Sequence, residues 1–328
     1  MIAQVKTRAY NIQDKLKKEL FMIAVTLAEQ IIQLFIMMFC GYLLVRFGIL
    51  KSSDSRPLSA LLVYIITPCT ILNAFQIEYT SEAASGFLLA VVSALLIHVL
   101  LFVIVYSLDR IFHFDSIEKA SLIYSNAGNL IIPLVSAIHG EEWVIYASAF
   151  MIVQLFILWT HGRSLVEGRK AADFKAIVSN VNLIACVLGL IMFLLHIQLP
   201  PLLKSTVKSL GGVIGPVSML MLGIILAGVD MKSIVKGKRI WVLSALKMIL
   251  IPLAVMLVMK YCGITKMNPA GVTIIYISLM ATMTPSASTV TQMAQLYGKD
   301  ASMATAINTM TTLICIGTMP LLTMIYYL

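Results

Sequence analysis

Apolar residues run together in this chain in stretches of about twenty, separated by short polar clusters, rather than alternating with polar ones. The hydrocarbon core of a bilayer, about 30 Å thick, takes roughly 20 apolar residues of helix to cross. The runs lie at roughly 26–46, 57–77, 84–107, 117–138, 142–160, 181–198, 206–229, 240–260, 269–293 and 301–327, which predicts ten transmembrane helices. The longest connector, HGRSLVEGRKAADFKAIVSN at 161–180, is polar and leaves five spans on either side. The organisation expected is therefore an N-terminal arm at 1–25, a first five-helix unit at 26–160, the connector at 161–180 and a second five-helix unit at 181–328.

The two halves echo each other. Gly140 opens GEEWVIYASAF after span four, and Gly298 opens GKDASMATAIN after span nine; spans two and seven each carry a proline, Pro68 and Pro216. A unit with an odd number of spans enters the membrane the other way up when repeated, so the pattern predicts inverted repeats, the build of many secondary transporters.

Composition agrees with the spans. The chain of 328 residues is 60% hydrophobic and 12% charged, against about 25% charged in ordinary soluble domains. The formal net charge of +9 resides mostly in short loops, the pattern of membrane topology rather than of a nucleic-acid groove. Loops after the odd-numbered spans hold fourteen Lys and Arg, the opposite loops only four. The basic side, with the 161–180 connector, is expected in the cytoplasm and both termini outside. Lys6, Arg8, Lys15, Lys17 and Lys18 narrow that margin to fourteen against nine. The arm they occupy has apolar residues at helical spacing and reads as an interfacial amphipathic helix, unless Met22 is the true start. Five scattered cysteines, with no CxxC and no metal-ligand spacing, read as packing residues. No metal or cofactor is expected.

Candidate chemistry lies where polar residues interrupt the runs. In SNAGNLIIPLVSAIHG of span four, Pro133 lacks an N–H and should free the carbonyl of Asn129. Asn126, seven residues before Pro133, falls on the same helical face. In MATMTPSASTVTQ of span nine, Pro285 should free the carbonyl of Ala281, with Thr284 and Ser286 beside the break. Discontinuous helices at corresponding places in two halves point to a midplane site, and half-helix N-termini favour an anion there. The alternative is packing, since kinks and Asn, Ser or Thr contacts are common glue between membrane helices. Lys247 in VLSALKMILIP is a candidate charge or coupling residue. It sits only about 12 Å along the helix from Arg239, so it could instead snorkel to the interface. His98 in span three is a second coupling candidate, with a packed, hydrogen-bonded core histidine as the blander reading.

At these residues the chain resembles the auxin efflux carrier family of membrane transporters, over about residues 27–328. The matching features are Asn126 followed seven residues later by Pro133 and Leu134, the stretch TPSASTVTQMAQLYGKDASMATAINTMTTLICIGTMPLL with Pro285, Tyr297, Gly298, Asp300 and Pro320, and GYLLVRFGIL at the end of span one. The resemblance implies an all-α membrane protein of two inverted five-helix repeats. Helices one, two, six and seven would form a scaffold, and helices four and nine of the remaining transport domain would cross at their proline breaks beside the substrate. It implies elevator-type alternating access for a small organic anion such as malate, malonate or auxin, with a proton or sodium ion as candidate coupling partner and a homodimer as candidate assembly. Two departures bear on the substrate: Ile131 stands where relatives often have Gly, and the long hydrophilic loop of many plant members is missing. The competing functions are a membrane sensor or binding protein for such a ligand and, with no acid–base cluster inside the spans, an intramembrane enzyme.

Overall fold

The computed structural model describes residues 29, 32–33, 36–168, 175, 178–228 and 237–327; the side chains of Ser59, Gly128, Asn129, Pro133, Ala137, Gln295 and Leu296 lie outside the description. The N-terminal arm and most of the central connector are likewise outside it. In hydrocarbon every backbone polar group must be satisfied within the protein, and the described chain is helical throughout, with one isolated antiparallel bridge. The helices are α1 (Ile36–Arg46), α2 (Ser52–Ala74), α3 (Ser81–Phe112), α4 (Ser116–Ile123), α5 (127–139), α6 (Glu141–Glu167), α7 (Val181–Leu194), α8 (Pro201–Ala227), α9 (Lys238–Tyr261), α10 (Gly271–Thr282), α11 (Ser288–Leu296) and α12 (Ala301–Tyr327). Six of them, α2, α3, α6, α8, α9 and α12, are long and apolar enough to cross a membrane. Span four is divided into α4 and α5, and span nine into α10 and α11. Large apolar side chains such as Phe47, Leu88, Val99, Leu202 and Tyr261 lie exposed on the outside, a surface that suits lipid rather than water.

Helix starts follow local chemistry. Thr80 caps α3 through the Ala83 N–H at 3.0 Å. Asp115 and Glu118 form a reciprocal capping box at α4, at 2.8 and 3.0 Å. Asn180 caps α7 through the N–H groups of Asn182 and Leu183. Three prolines share one solution to the missing donor. Pro68, Pro133 and Pro252 each sit in the first turn of an α-helical segment directly preceded by a five-residue π turn, at Leu62–Ile66, Ala127–Ile131 and Leu246–Leu250. The wider turn lets the helix continue across a proline that would clash in an uninterrupted α-helix. Pro320 lies inside α12.

The boundaries expected from the sequence shift at one functionally relevant place. Helix α6 continues to Glu167, so the polar residues 161–167 that were assigned to the connector complete a helix. Arg163 and Glu167 pair there at 3.0 Å, one turn apart.

The helices form two groups. In the first, α2 packs against α7 and α8, and α1 lies against α8 with so little separation that a Cβ on Gly223 would meet the carbonyl of Met38, and one on Gly41 the carbonyl of Leu220. Small residues of this kind let membrane helices approach through their backbones. Gly223→Ala should therefore force α1 and α8 apart and cost on the order of 1–3 kcal/mol, the range for overpacking. The check is the melting temperature of the purified variant in detergent; an unchanged value would contradict the close approach. In the second group, α3 packs on α6 and α10, and α12 on α9 and α11. Glu118 of α4, buried, accepts two 2.7 Å bonds from Arg239 of α9, tying that group together at one end. At the other end Asn73 of α2 donates to Glu141 at 3.0 Å, a contact between the groups.

Candidate functional site

Between α4 and α5 the chain is extended at Tyr124–Ser125 and turns at Asn126, and between α10 and α11 lies the non-helical stretch 285–287. The two run antiparallel and pair through backbone: the Asn126 N–H donates to the Pro285 carbonyl at 2.8 Å, the Ala287 N–H to the Tyr124 carbonyl at 3.1 Å, and Ser125 bridges Ser286. Each break supplies the partner that the other lacks, which meets the demand that buried backbone groups be bonded. Span nine is interrupted at Pro285, where the sequence places it. In span four the interruption falls at Tyr124–Asn126, not at Asn129 just before Pro133. This corrects the expected position, and the π turn at Ala127–Ile131 is the reason: it absorbs the proline, so α5 begins at Ala127.

Side chains from neighbouring helices hold the crossing. The amide of Gln154, on α6, accepts from the Ser125 N–H at 3.1 Å and donates to the Ser125 carbonyl at 2.8 Å. Thr311, on α12, accepts from the Ser286 N–H at 3.2 Å. The Thr284 hydroxyl donates to the Ala281 carbonyl at 2.8 Å, satisfying the acceptor that Pro285 was expected to free. Lys247 does not snorkel. It is 1% exposed, and its ammonium donates to the Leu122 carbonyl at 3.0 Å, the Tyr124 carbonyl at 3.3 Å and the Ser125 hydroxyl at 2.9 Å. A cation at the C-terminal end of α4 meets the negative end of that helix dipole. His98 is buried: it donates from Nδ1 to the Ala94 carbonyl at 2.7 Å and lies 5.0 Å from the Phe150 ring, while its Nε2 is buried without a partner among the described residues.

Two cavities adjoin the crossing between the two helix groups. The smaller, 230 Å³, is walled by Asn126, Ala127, Gln154, Ala287 and Ser288 on one side and by Thr67 and Met221 on the other. The first residues of α5 and α11 both reach it, so two half-helix N-termini converge there. Asn126 is 5% exposed, and its side-chain amide has no bonding partner among the described residues. The larger cavity, 540 Å³, lies between Ser52–Arg56 and Gly228 of the first group and α11 and α12 of the second. The two cavities have Ile225, Ser288 and Gln292 in common.

Of the residues singled out by the sequence, Asn126 faces the smaller cavity. Pro285, Thr284 and Ser286 build the crossing behind it without lining either cavity, and Lys247 braces it from behind. The side chains of Asn129 and Pro133 lie outside the described residues. Sequence reasoning missed Gln154, although a lone amide in MIVQLFILW carried the same signal as Asn126, an expensive polar group in an apolar run. Among the described residues no three His, Cys, Asp or Glu side chains gather as a metal site.

A comparison with curated proteins finds no match. The model of a family described as membrane transport protein matches residues 26–182 and 174–323. That covers most of the chain and agrees with the resemblance carried by Asn126, Pro133 and the Pro285 stretch. Six membrane-length apolar helices, two broken helices bonded through their breaks and this match together place the chain in the auxin efflux carrier-type family of membrane transport proteins.

Proposed function

We propose that this protein is a secondary transporter that carries a small organic anion, a carboxylate, by elevator-type alternating access. The observation that carries the reading is the smaller cavity. An asparagine amide, buried and without a partner among the described residues, and two half-helix N-termini meet there, with no carboxylate among the described lining residues. An amide can donate to a carboxylate, and the dipole ends favour negative charge without adding a fixed ion. Asn126, Asn129 and Pro133 from span four and Thr284, Pro285 and Ser286 from span nine form this site or its supports. Lys247 positions it, and His98 is a packing residue of the moving part.

The reading includes ten spans in two inverted five-helix repeats, with α1, α2, α7 and α8 as scaffold. Related supports occupy related places: Gln154 on the helix following the first break and Thr311 on the helix following the second each take a backbone N–H of the crossing. Uptake of labelled malonate, malate and indole-3-acetate into proteoliposomes tests the reading. Accumulation of at least one supports it; specific binding without accumulation would make the protein a sensor or binding protein instead.

Topology is a further expected outcome. The basic side, including the central connector, faces the cytoplasm. In a variant lacking the five native cysteines, Lys175→Cys, at an exposed position of the connector, should react with an impermeant maleimide only after the membrane is opened. Labelling of intact cells would reverse the orientation.

A further inference from the structure

The larger cavity contains what the smaller one lacks, a charge. Arg56, at the start of α2, is the one charged residue among the described residues lining either cavity. It is exposed and makes no ion pair with any described residue. Its neighbour Asp54 does not pair with it; that carboxylate accepts from the Lys51 N–H at 2.8 Å and the Ser53 hydroxyl at 3.4 Å.

The wall formed by α11 and α12 is equally unusual. Thr305, Thr311, Thr312, Thr318 and Thr323 of α12 each return their hydroxyl to the carbonyl four residues earlier, the ordinary way for a membrane helix to hide it. Thr309, 7% exposed and lining the cavity, makes no such bond. The Thr291 hydroxyl, on the same cavity, is buried and without a partner. The Asn308 side-chain oxygen accepts from Thr312 at 3.3 Å, which leaves its amide N–H groups as donors. A guanidinium, two hydroxyls and an amide thus line one space, with no acidic residue among the described residues of its lining.

We infer that the larger cavity is a second anion site, a vestibule in which a carboxylate of the substrate docks on Arg56, with Thr309 and Asn308 as further donors, before passing Ser288 and Gln292 to the Asn126 cavity. A planar guanidinium fork matches a carboxylate in two parallel bonds, and an unpaired cation in a mouth raises the local concentration of anions. The inference rests on the carboxylate reading above. It assigns capture to Arg56 and recognition to Asn126, so the two residues should fail differently.

Initial rates of uptake of labelled malonate, malate and indole-3-acetate by the wild-type protein, Arg56→Gln and Arg56→Lys in proteoliposomes, at low and high ionic strength, test it. For each acid that the wild type carries, Arg56→Gln should raise KM at least tenfold and remove most of the dependence of KM on salt, with Arg56→Lys in between. Melting temperatures of both variants should match the wild type, because Arg56 has no ion-pair or hydrogen-bond partner among the described residues to lose. An unchanged KM and salt dependence in Arg56→Gln, with the wild type active, would overturn the vestibule and leave the carboxylate reading standing. Competition by inorganic phosphate as strong as by unlabelled malonate would overturn the assignment to carboxylates. If the wild type carries none of the three acids, the carboxylate reading fails and the vestibule falls with it.

Discussion

Replacing Lys247 by methionine should reduce uptake per folded molecule at least tenfold, with a loss of stability of no more than a few kcal/mol. Methionine has nearly the length of lysine but cannot donate, so the carbonyls of Leu122 and Tyr124 and the hydroxyl of Ser125 lose a shared partner. Each orphaned buried group costs about 1–3 kcal/mol. Against that, a charge is withdrawn from the membrane interior, where insertion scales put its cost at about 2.5–3.5 kcal/mol. The Tyr124 carbonyl keeps the Ala287 N–H, so two groups are orphaned, about 2–6 kcal/mol together, and the net change should lie between a gain of about 1.5 and a loss of about 3.5 kcal/mol. The geometry of the break has no such compensation: without the ammonium, the Leu122 carbonyl and the Ser125 hydroxyl lose the one donor that ties them together. Uptake in proteoliposomes, normalised to protein that elutes as a single folded species, checks this. Wild-type uptake by Lys247→Met would remove the residue from the mechanism.

The all-helical build and the six membrane-length apolar helices were legible because hydrocarbon leaves no alternative to apolar helices. Pro285 announced its break because no π turn precedes it. Pro133 announced a break that falls elsewhere, since a proline states only that a donor is missing. Whether the helix breaks or widens depends on what lies alongside, here the backbone of 285–287. Lys247 could not be assigned from its depth in span eight: the same stem length that reaches the interface also reaches the α4 terminus, and only the packing of α9 against α4 and α12 decides. Arg56 counted merely as one of fourteen topology charges. Its place opposite α12 depends on contacts far apart in the sequence, between α2 and α8 and between α11 and α12, which no local spacing reveals.

Asn126 is where the packing and binding explanations part most clearly. Its backbone belongs to the crossing, through the 2.8 Å bond to Pro285 and the 3.2 Å bond it accepts from the Leu130 N–H. Its side chain faces the smaller cavity without a partner among the described residues. Asn126→Leu therefore leaves every described hydrogen bond in place and exchanges a polar group for one better suited to the membrane. A residue serving as glue between helices would have side-chain bonds to lose and would destabilise the protein when replaced.

The most direct test measures the dissociation constant of a transported carboxylate and the melting temperature in detergent on the same preparation of purified Asn126→Leu. Binding should weaken at least tenfold, about 1.4 kcal/mol, with the melting temperature at or above that of the wild type. A lowered melting temperature with wild-type affinity per folded molecule would contradict the account and move the substrate site away from the crossing.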